Sequence, residues 1–325
     1  MRPFTLAHLS DLHISAEQKG RTMRDARRVI EHVLRHGVDH LVVTGDVTAN
    51  GTGKELELAR SIFASYRLLH PERLTVIMGN HDVFGGVQTA EDVLSFPRHC
   101  RAVDYDRAVQ AFCDAFDETF THSISPHPQN RFPFAKVLNG VALIGVNSVA
   151  RYGAVKNPFG SSGAVERDQC DVLRRLLSAD AFHGVPKIIL IHHHFVRLRP
   201  VAHGTMEFLW RTIERRTMEL RNRKRLLALF AEHDVRLVLH GHIHENLEYV
   251  RRGVRCMNSG ASVMSTTNAL SYRLLHVHGD IFTSSVHSLA RTSTQRHHRR
   301  DQRLSAAMGC MPTAPPKLHS SMTTA

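Results

Sequence analysis

Five apolar, strand-like runs in this chain each stop at residues able to hold a metal ion or move a proton, and no other feature limits the possible folds as much. The run ends are His8-Leu-Ser-Asp-Leu-His13, Leu41-Val-Val-Thr-Gly-Asp46, Leu74-Thr-Val-Ile-Met-Gly-Asn-His-Asp82, Ile188-Ile-Leu-Ile-His-His-His194 and Leu237-Val-Leu-His-Gly-His-Ile-His244. A strand that breaks into a turn presents the following side chains at one end of a sheet, which is where open α/β folds place their ligands. The expectation is that all five ends converge on one metal centre.

The segments between the runs fit that plan. Ala26, Val29, Ile30, Val33 and Leu34 fall at helical spacing within a helix predicted from about Thr22 to Arg35, and Gly37 offers its stop. A second helix, carrying Leu56, Leu58, Ala59, Ile62 and Phe63, precedes the strand at 74 to 78. The resulting β-α-β-α-β series implies parallel strands with right-handed crossovers. Asn139-Gly140 between the apolar runs 134 to 138 and 141 to 146 is a hairpin signal of the type I′ kind, so the sheet there turns antiparallel. Further helices are predicted over 166 to 177 and from about 206 to 233, with strands at 187 to 191, 236 to 240, 247 to 250, 254 to 257, 272 to 277 and 281 to 286.

Two stretches break the rhythm and read as insertion or cap segments, 83 to 131 and 196 to 225. They interrupt a single domain spanning 1 to 290. From about Arg291 the chain is rich in Ser, Thr, Arg, His and Pro without apolar periodicity, a composition that favours a basic, disordered tail over 291 to 325.

The formal net charge of +12 points to anionic partners: phosphate compounds, nucleic acid or an acidic membrane surface. Part of that charge is local to the tail, through Arg291, Arg296, Arg299, Arg300, Arg303 and Lys317. The arginine-dense stretch from Arg211 to Arg225 reads as a solvated helix face, or alternatively as a cap that attracts anionic substrate. No run approaches the roughly 18 apolar residues a membrane helix needs, and the reading is a cytoplasmic protein. The five cysteines are odd in number and lack a CxxC pair, so they are read as free thiols rather than as a disulfide framework or a zinc site. Gly51-Thr-Gly-Lys54 lacks the earlier glycine and the Ser/Thr of a P-loop and is read as an ordinary loop.

Manganese, iron and zinc accept mixed carboxylate and imidazole ligands, and two such ions roughly 3.5–4 Å apart can clamp a phosphoryl group. An anionic oxygen ligand must bridge them, and Asp46, placed after Gly45 at a strand end, suits that task. Asp11 and His13 stand two residues apart, as do His242 and His244, so in extended strand ends each pair would face one side and bite one ion. Alone, either pair means little.

In order, the DxH, GD, GNHD, histidine-bearing and GHxH strand ends resemble the calcineurin-like metallophosphoesterase superfamily over residues 4 to 286. Leu9-Ser-Asp-Leu-His13 together with Gly79-Asn-His-Asp82 looks most like its bacterial class III cyclic-nucleotide phosphodiesterase branch. The resemblance implies a four-layer α/β/β/α sandwich with mixed sheets and two divalent ions, their identity open among Mn, Fe and Zn. It further implies that Asp11, His13 and His244 hold one ion, Asp46 bridges, and Asn80, His242 and one of His192, His193 and His194 hold the other. His193 is the choice made here, with His192 as the fallback. His81 would serve the leaving group without touching metal, and Asp82 would orient it. Two departures stand out: Phe195 where proline is common in the family, and Asn147 where many relatives carry aspartate.

The expected activity is hydrolysis of a small phosphodiester such as a cyclic nucleotide. The alternatives are a phosphomonoesterase, a nucleotide-lipid pyrophosphatase, a nuclease or nucleic-acid-binding protein, and a scaffold that has lost catalysis. The oligomeric state is not legible in the sequence.

Overall fold

The structure, a computed structural model, describes residues 3–17, 20–87, 92–126, 131–196, 218–263 and 269–291. Its strands form two mixed sheets. The first has the order β11-β10-β1-β2-β3, with β1 (Phe4–Leu9), β2 (His40–Thr44) and β3 (Leu74–Ile77) parallel, and with β10 (Ala269–His278) and β11 (Ile281–Ala290) antiparallel at the other side. The second has the order β4-β5-β6-β7-β9-β8. In it β5 (Val141–Gly145), β6 (Lys187–Leu190), β7 (Leu237–His240) and β9 (Val254–Ser259) run parallel, flanked by antiparallel β4 (Phe134–Leu138) and β8 (Asn246–Arg251).

The period-2 geometry of a strand explains why these runs are apolar throughout. On β6, Ile188 and Leu190 enter the core shared with the first sheet, whereas Ile189 and, just beyond the strand, Ile191 enter a second core. That second core is closed by α7 (Arg167–Leu177), through Leu173, Leu176 and Leu177, and by α8 (Arg223–Glu232), through Leu226 and Phe230. On the far side of the molecule, α1 (Arg21–Arg35) and α2 (Gly53–Ser65) bury Ala26, Val29, Ile30, Val33, Ala59, Ile62 and Phe63 against the first sheet. Each fully buried Ile or Leu contributes about 1.5–3 kcal/mol of hydrophobic stabilisation, so a polar residue at any of these positions would open a layer. The α/β/β/α order of layers is the one the sequence implied.

The hairpin of β4 and β5 turns at Asn139 and Gly140, both with positive φ (48° and 75°), as a type I′ turn requires. Among the described residues, short helices occupy the 83 to 131 stretch and its entry: α3 (His81–Phe84), α4 (Asp92–Ala102), α5 (Tyr105–Ala115) and α6 (Asp117–Phe120). Phe112 of α5 and Phe116, just past its end, enter the main core, where Phe116 meets Phe63 edge-on. The expected helix from 206 to 233 is shorter among the described residues. Positions 218–222 form a turn that pairs with Gly163, and the helix begins at Arg223. The first part of that cap segment, up to residue 217, lies outside the described residues, as does the tail after Arg291. Among the described residues no helix is long and apolar enough to cross a membrane.

Candidate metal centre

The five strand ends do meet at one edge of the sandwich, but not as extended chain. β1 stops at Leu9 and β7 at His240, and the polar residues beyond them curl back: Asp11, His13, Asp46 and His242 all have positive φ, at 55°, 43°, 50° and 72°. Left-handed backbone is uncommon outside glycine, and four such residues in one place mark a site that the surrounding fold holds under local strain. Asp11 and His13 therefore face a common point through a tight turn, rather than through the two-residue alternation of a strand. Backbone bonds fasten that turn, since Asp11 N–H donates to the Gly45 carbonyl and His13 N–H to the Asp46 carbonyl, each at 3.0 Å.

Two clusters of side chains result. In the first, His244 Nε2 lies 3.5 Å from Asp11 Oδ1, and His13 Nε2 lies 3.3 Å from His244 Nε2 and 3.8 Å from Asp46 Oδ2. In the second, His192 Nε2 lies 3.3 Å from Asp46 Oδ2, 3.2 Å from Asn80 Oδ1 and 3.2 Å from His242 Nδ1. Asp46 Oδ2 belongs to both. Its other oxygen accepts the His81 N–H at 2.9 Å, which fixes the carboxylate between the clusters.

Close backbone approach makes this possible. A Cβ on Gly79 would stand 2.2 Å from Asp46 Oδ1 and 2.4 Å from Asp46 N, and Gly45, at φ 90°, passes just as near the His192 ring. Only glycine fits at either position.

The charges are set by this packing. Burial alone would push the Asp46 carboxyl up, but the imidazoles of His192, His81 and His13 outweigh it and hold it well below the usual carboxylate range. Asp11 is lowered in the same way, with the His244 hydrogen bond overcoming burial. Against the penalty of burial, Asp46 raises His192 to about 9. His13 is pushed down to about 3 by burial and by its neighbour His81. Among the described residues only imidazoles pair with the two buried carboxylates. Carboxylate oxygens and imidazole nitrogens that face one another at 3.2–3.8 Å make a donor set suited to divalent ions of the Mn, Fe and Zn type.

Of the three consecutive histidines, the structure brings His192 and not His193 to this point. His192 Nδ1 donates to the Thr44 carbonyl at 2.8 Å, leaving Nε2 for the cluster. Both ring nitrogens of His193 are engaged elsewhere, Nδ1 with Ser148 Oγ at 2.8 Å and Nε2 with the Ser161 carbonyl at 3.2 Å. His194 bonds to the backbone of Val196. The family pattern favours His193; the geometry instead brings its fallback, His192, to the cluster.

Asp82 departs from its expected place as well. Its carboxylate accepts from Val47 N, Thr48 N, Thr48 Oγ1 and Gly79 N, so it knits the two turns together and does not reach the His81 ring. Burial, followed by the nearby Asp46 charge, raises it to about 6. His81 is aimed instead by the Ala49 carbonyl, 3.0 Å from its Nδ1, and its ring meets that of His13 edge-on with centroids 4.5 Å apart. Backbone carbonyls leave no trace in a motif, which is why this partner was invisible.

Both departures have local causes. Asn147 donates from Nδ2 to Tyr105 Oη at 2.9 Å and accepts Val149 N–H at 2.9 Å, thereby pinning α5 to the end of β5; an aspartate could not make the donation. Phe195 donates its N–H to Tyr249 Oη at 3.0 Å, a bond that proline could not form. The described arginines of the cap segment are partnered: Arg223 with Glu219 at 3.0 Å, Arg225 with Asp171 at 3.6 Å and Arg221 with the Lys156 carbonyl at 3.0 Å. Arg211, Arg215 and Arg216 lie outside the described residues.

Comparison with known proteins agrees with this architecture. No curated protein sequence matches the chain. Among solved structures, a dimetal phosphatase from Danio rerio is 12% identical with a TM-score of 0.56, over 89% of this chain and 99% of that one. A phosphopantetheinyl hydrolase from Mycobacterium tuberculosis is 15% identical with a TM-score of 0.42, over 80% and 90% of the two chains. An archaeal phosphodiesterase is 10% identical with a TM-score of 0.38, over 87% and 99%. At such identities the likeness is one of fold. The model of the calcineurin-like phosphoesterase family matches residues 4–246, which is most of the chain and contains every strand end described above. The chain belongs to the calcineurin-like phosphoesterase family and is a metal-dependent phosphoester hydrolase.

Proposed function

We propose that the chain is a dinuclear phosphodiesterase acting on a small phosphodiester such as a cyclic nucleotide. The observation that carries the dinuclear reading is the position of Asp46, whose Oδ2 is within 3.8 Å of His13 Nε2 on one side and 3.3 Å of His192 Nε2 on the other. Asp11, His13 and His244 would hold one ion, Asn80, His192 and His242 the other, and Asp46 would bridge them. The preference for a diester rests on the likeness of Leu9-Ser-Asp-Leu-His13 and Gly79-Asn-His-Asp82 to the class III cyclic-nucleotide branch.

Bound ions of this kind neutralise phosphoryl oxygens and make bound water acidic enough to attack at neutral pH. The side chains do the rest. Asn80 contributes a neutral oxygen, which keeps the total negative charge of the site low enough for an anionic substrate to enter. His81 is held at Nδ1 by the Ala49 carbonyl, so its Nε2 is the atom that hands a proton to the leaving oxygen.

Purified protein should be analysed for metal and assayed on bis-p-nitrophenyl phosphate, p-nitrophenyl phosphate, a cyclic nucleotide and a nucleotide-diphospho-lipid. Faster turnover of the monoester or of the lipid than of either diester would overturn the diesterase reading. Full activity with a single ion would overturn the dinuclear one.

A further inference from the structure

Beyond the residues that face the centre, the structure holds a hydrogen-bonded bridge between the loop after β6, which carries His192, and the loop after β7, which carries His242 of the second cluster and His244 of the first. Tyr249, on β8, places its hydroxyl 2.8 Å from His240 Nε2 and 3.0 Å from Phe195 N. Donor and acceptor identities fix the direction of every bond. Phe195 N–H can only donate, so Tyr249 Oη accepts there and spends its one proton on His240 Nε2. His240 Nδ1 lies 3.1 Å from the Gly241 carbonyl, which can only accept, so His240 carries its hydrogen on Nδ1. The bridge thus runs from Phe195 through Tyr249 and His240 to Gly241, with Cys256 also bonded to the Tyr249 hydroxyl.

Its two ends are informative. Phe195 follows His192 by three residues on the loop after β6, and Gly241 directly precedes His242 on the loop after β7. Gly241 N–H also donates to the His192 carbonyl at 3.1 Å, so the two loops are tied twice, once by backbone and once through Tyr249. Phe195 and His240 are both buried and Tyr249 is half-buried, so losing the hydroxyl leaves two buried polar groups short of a partner.

We propose that Tyr249 is a positioning residue that holds His192 and His242 at the spacing one metal ion requires, and that it acts on the Asp11, His13 and His244 cluster only through the loop that His242 shares with His244. This rests on the dinuclear reading above. Groups one step behind a ligand commonly set metal affinity through the orientation they impose, and their loss weakens binding about 10–100-fold.

The test is a titration of the metal-free full chain with Mn2+, following free Mn2+ by its electron paramagnetic resonance signal, with a thermal melt of each metal-free variant beside it. Wild-type protein is expected to take up two ions. Tyr249→Phe should weaken one of them about 10–100-fold and the other by clearly less. His240→Leu should do the same, and the double variant should show no further loss. His240→Gln, whose amide can both accept from Tyr249 and donate to Gly241, should restore two-ion binding. Unchanged affinity for both ions in Tyr249→Phe, or equal weakening of both, overturns the proposal, because a merely structural role would loosen the site as a whole. Should Tyr249→Phe fail to fold, equal affinities in His240→Leu and His240→Gln overturn it instead. If the wild-type protein takes up fewer than two ions, the dinuclear reading itself fails and the inference falls with it; two ions in wild type and in Tyr249→Phe alike sink the inference alone.

Discussion

His192 Nδ1 is held 2.8 Å from the Thr44 carbonyl, and this single bond turns Nε2 toward Asp46 Oδ2, 3.3 Å away. The neighbouring His193 is equally buried yet spends both nitrogens on Ser148 and Ser161. Adjacent histidines therefore do different work, and mutation separates them. His192→Ala should release one of two ions and lower turnover by about 100-fold or more, in line with the loss of an orienting or ligating group. His193→Ala should keep both ions and most activity, while costing about 1–3 kcal/mol of stability because the Ser148 hydroxyl and the Ser161 carbonyl lose their bonds to the ring. Metal content, turnover and denaturant melts of the two variants decide the matter, and the reverse pattern would restore His193 as the ligand.

His81 and Asp82 should also come apart. Removing a general acid costs about 10²–10⁴ in rate, and the cost shrinks when the leaving group needs no proton. His81→Ala should therefore slow an alkyl phosphodiester far more than bis-p-nitrophenyl phosphate, with metal content unchanged. Asp82→Asn, which disturbs the four bonds to Val47, Thr48 and Gly79, should chiefly lower stability and should show no such dependence on the leaving group. Equal leaving-group sensitivity in the two variants would return Asp82 to a role in aiming His81.

Gly79→Ala tests the close approach of the backbone. The added Cβ would sit 2.2 Å from Asp46 Oδ1 and 2.4 Å from Asp46 N, and the second of these is main chain that cannot swing aside. Overpacking of this kind costs about 1–3 kcal/mol, and here the displaced group is the shared carboxylate. Both ions should bind more weakly. Wild-type metal affinity in the variant would show that the turn is more compliant than the geometry implies.

Far from the centre, Lys136 on β4 is buried against β3, donating to the Leu74 carbonyl at 3.0 Å with Thr75 Oγ1 at 3.2 Å, and burial lowers its pKa to about 7. The unfolded chain binds the lysine proton up to about pH 10.4. Between these values the unfolded state carries more protons than the folded one, so stability rises with pH across that window by at most about 1.4 kcal/mol per unit. Lys136→Met should flatten the profile from about pH 7 upward relative to wild type, as measured by urea unfolding of both proteins at each pH. Parallel profiles would mean that the ammonium stays charged in the fold.

Much of the architecture was written into the chain locally. Continuous apolar runs mark β1 to β3, because both faces are buried, helical spacing marks α1 and α2, because one face is, and Asn139-Gly140 marks the hairpin because few residues tolerate positive φ twice in succession. The helices α4 and α6 escaped notice, α6 because four residues show no period, and α4 because it carries Pro97 and buries only Phe96 and Cys100.

The sequence by itself determined the strands, their order of catalytic motifs and hence the family, since motif residues at strand ends are local facts. Only the tertiary structure decided which of three consecutive histidines turns inward, that the Ala49 carbonyl and not Asp82 aims His81, and that Tyr249 ties two loops of the centre together. Those choices depend on partners far away in the chain or on backbone atoms that every residue shares, as with His192 and Thr44, 148 positions apart. No local pattern can encode such a partner; it exists only once the two sheets have packed.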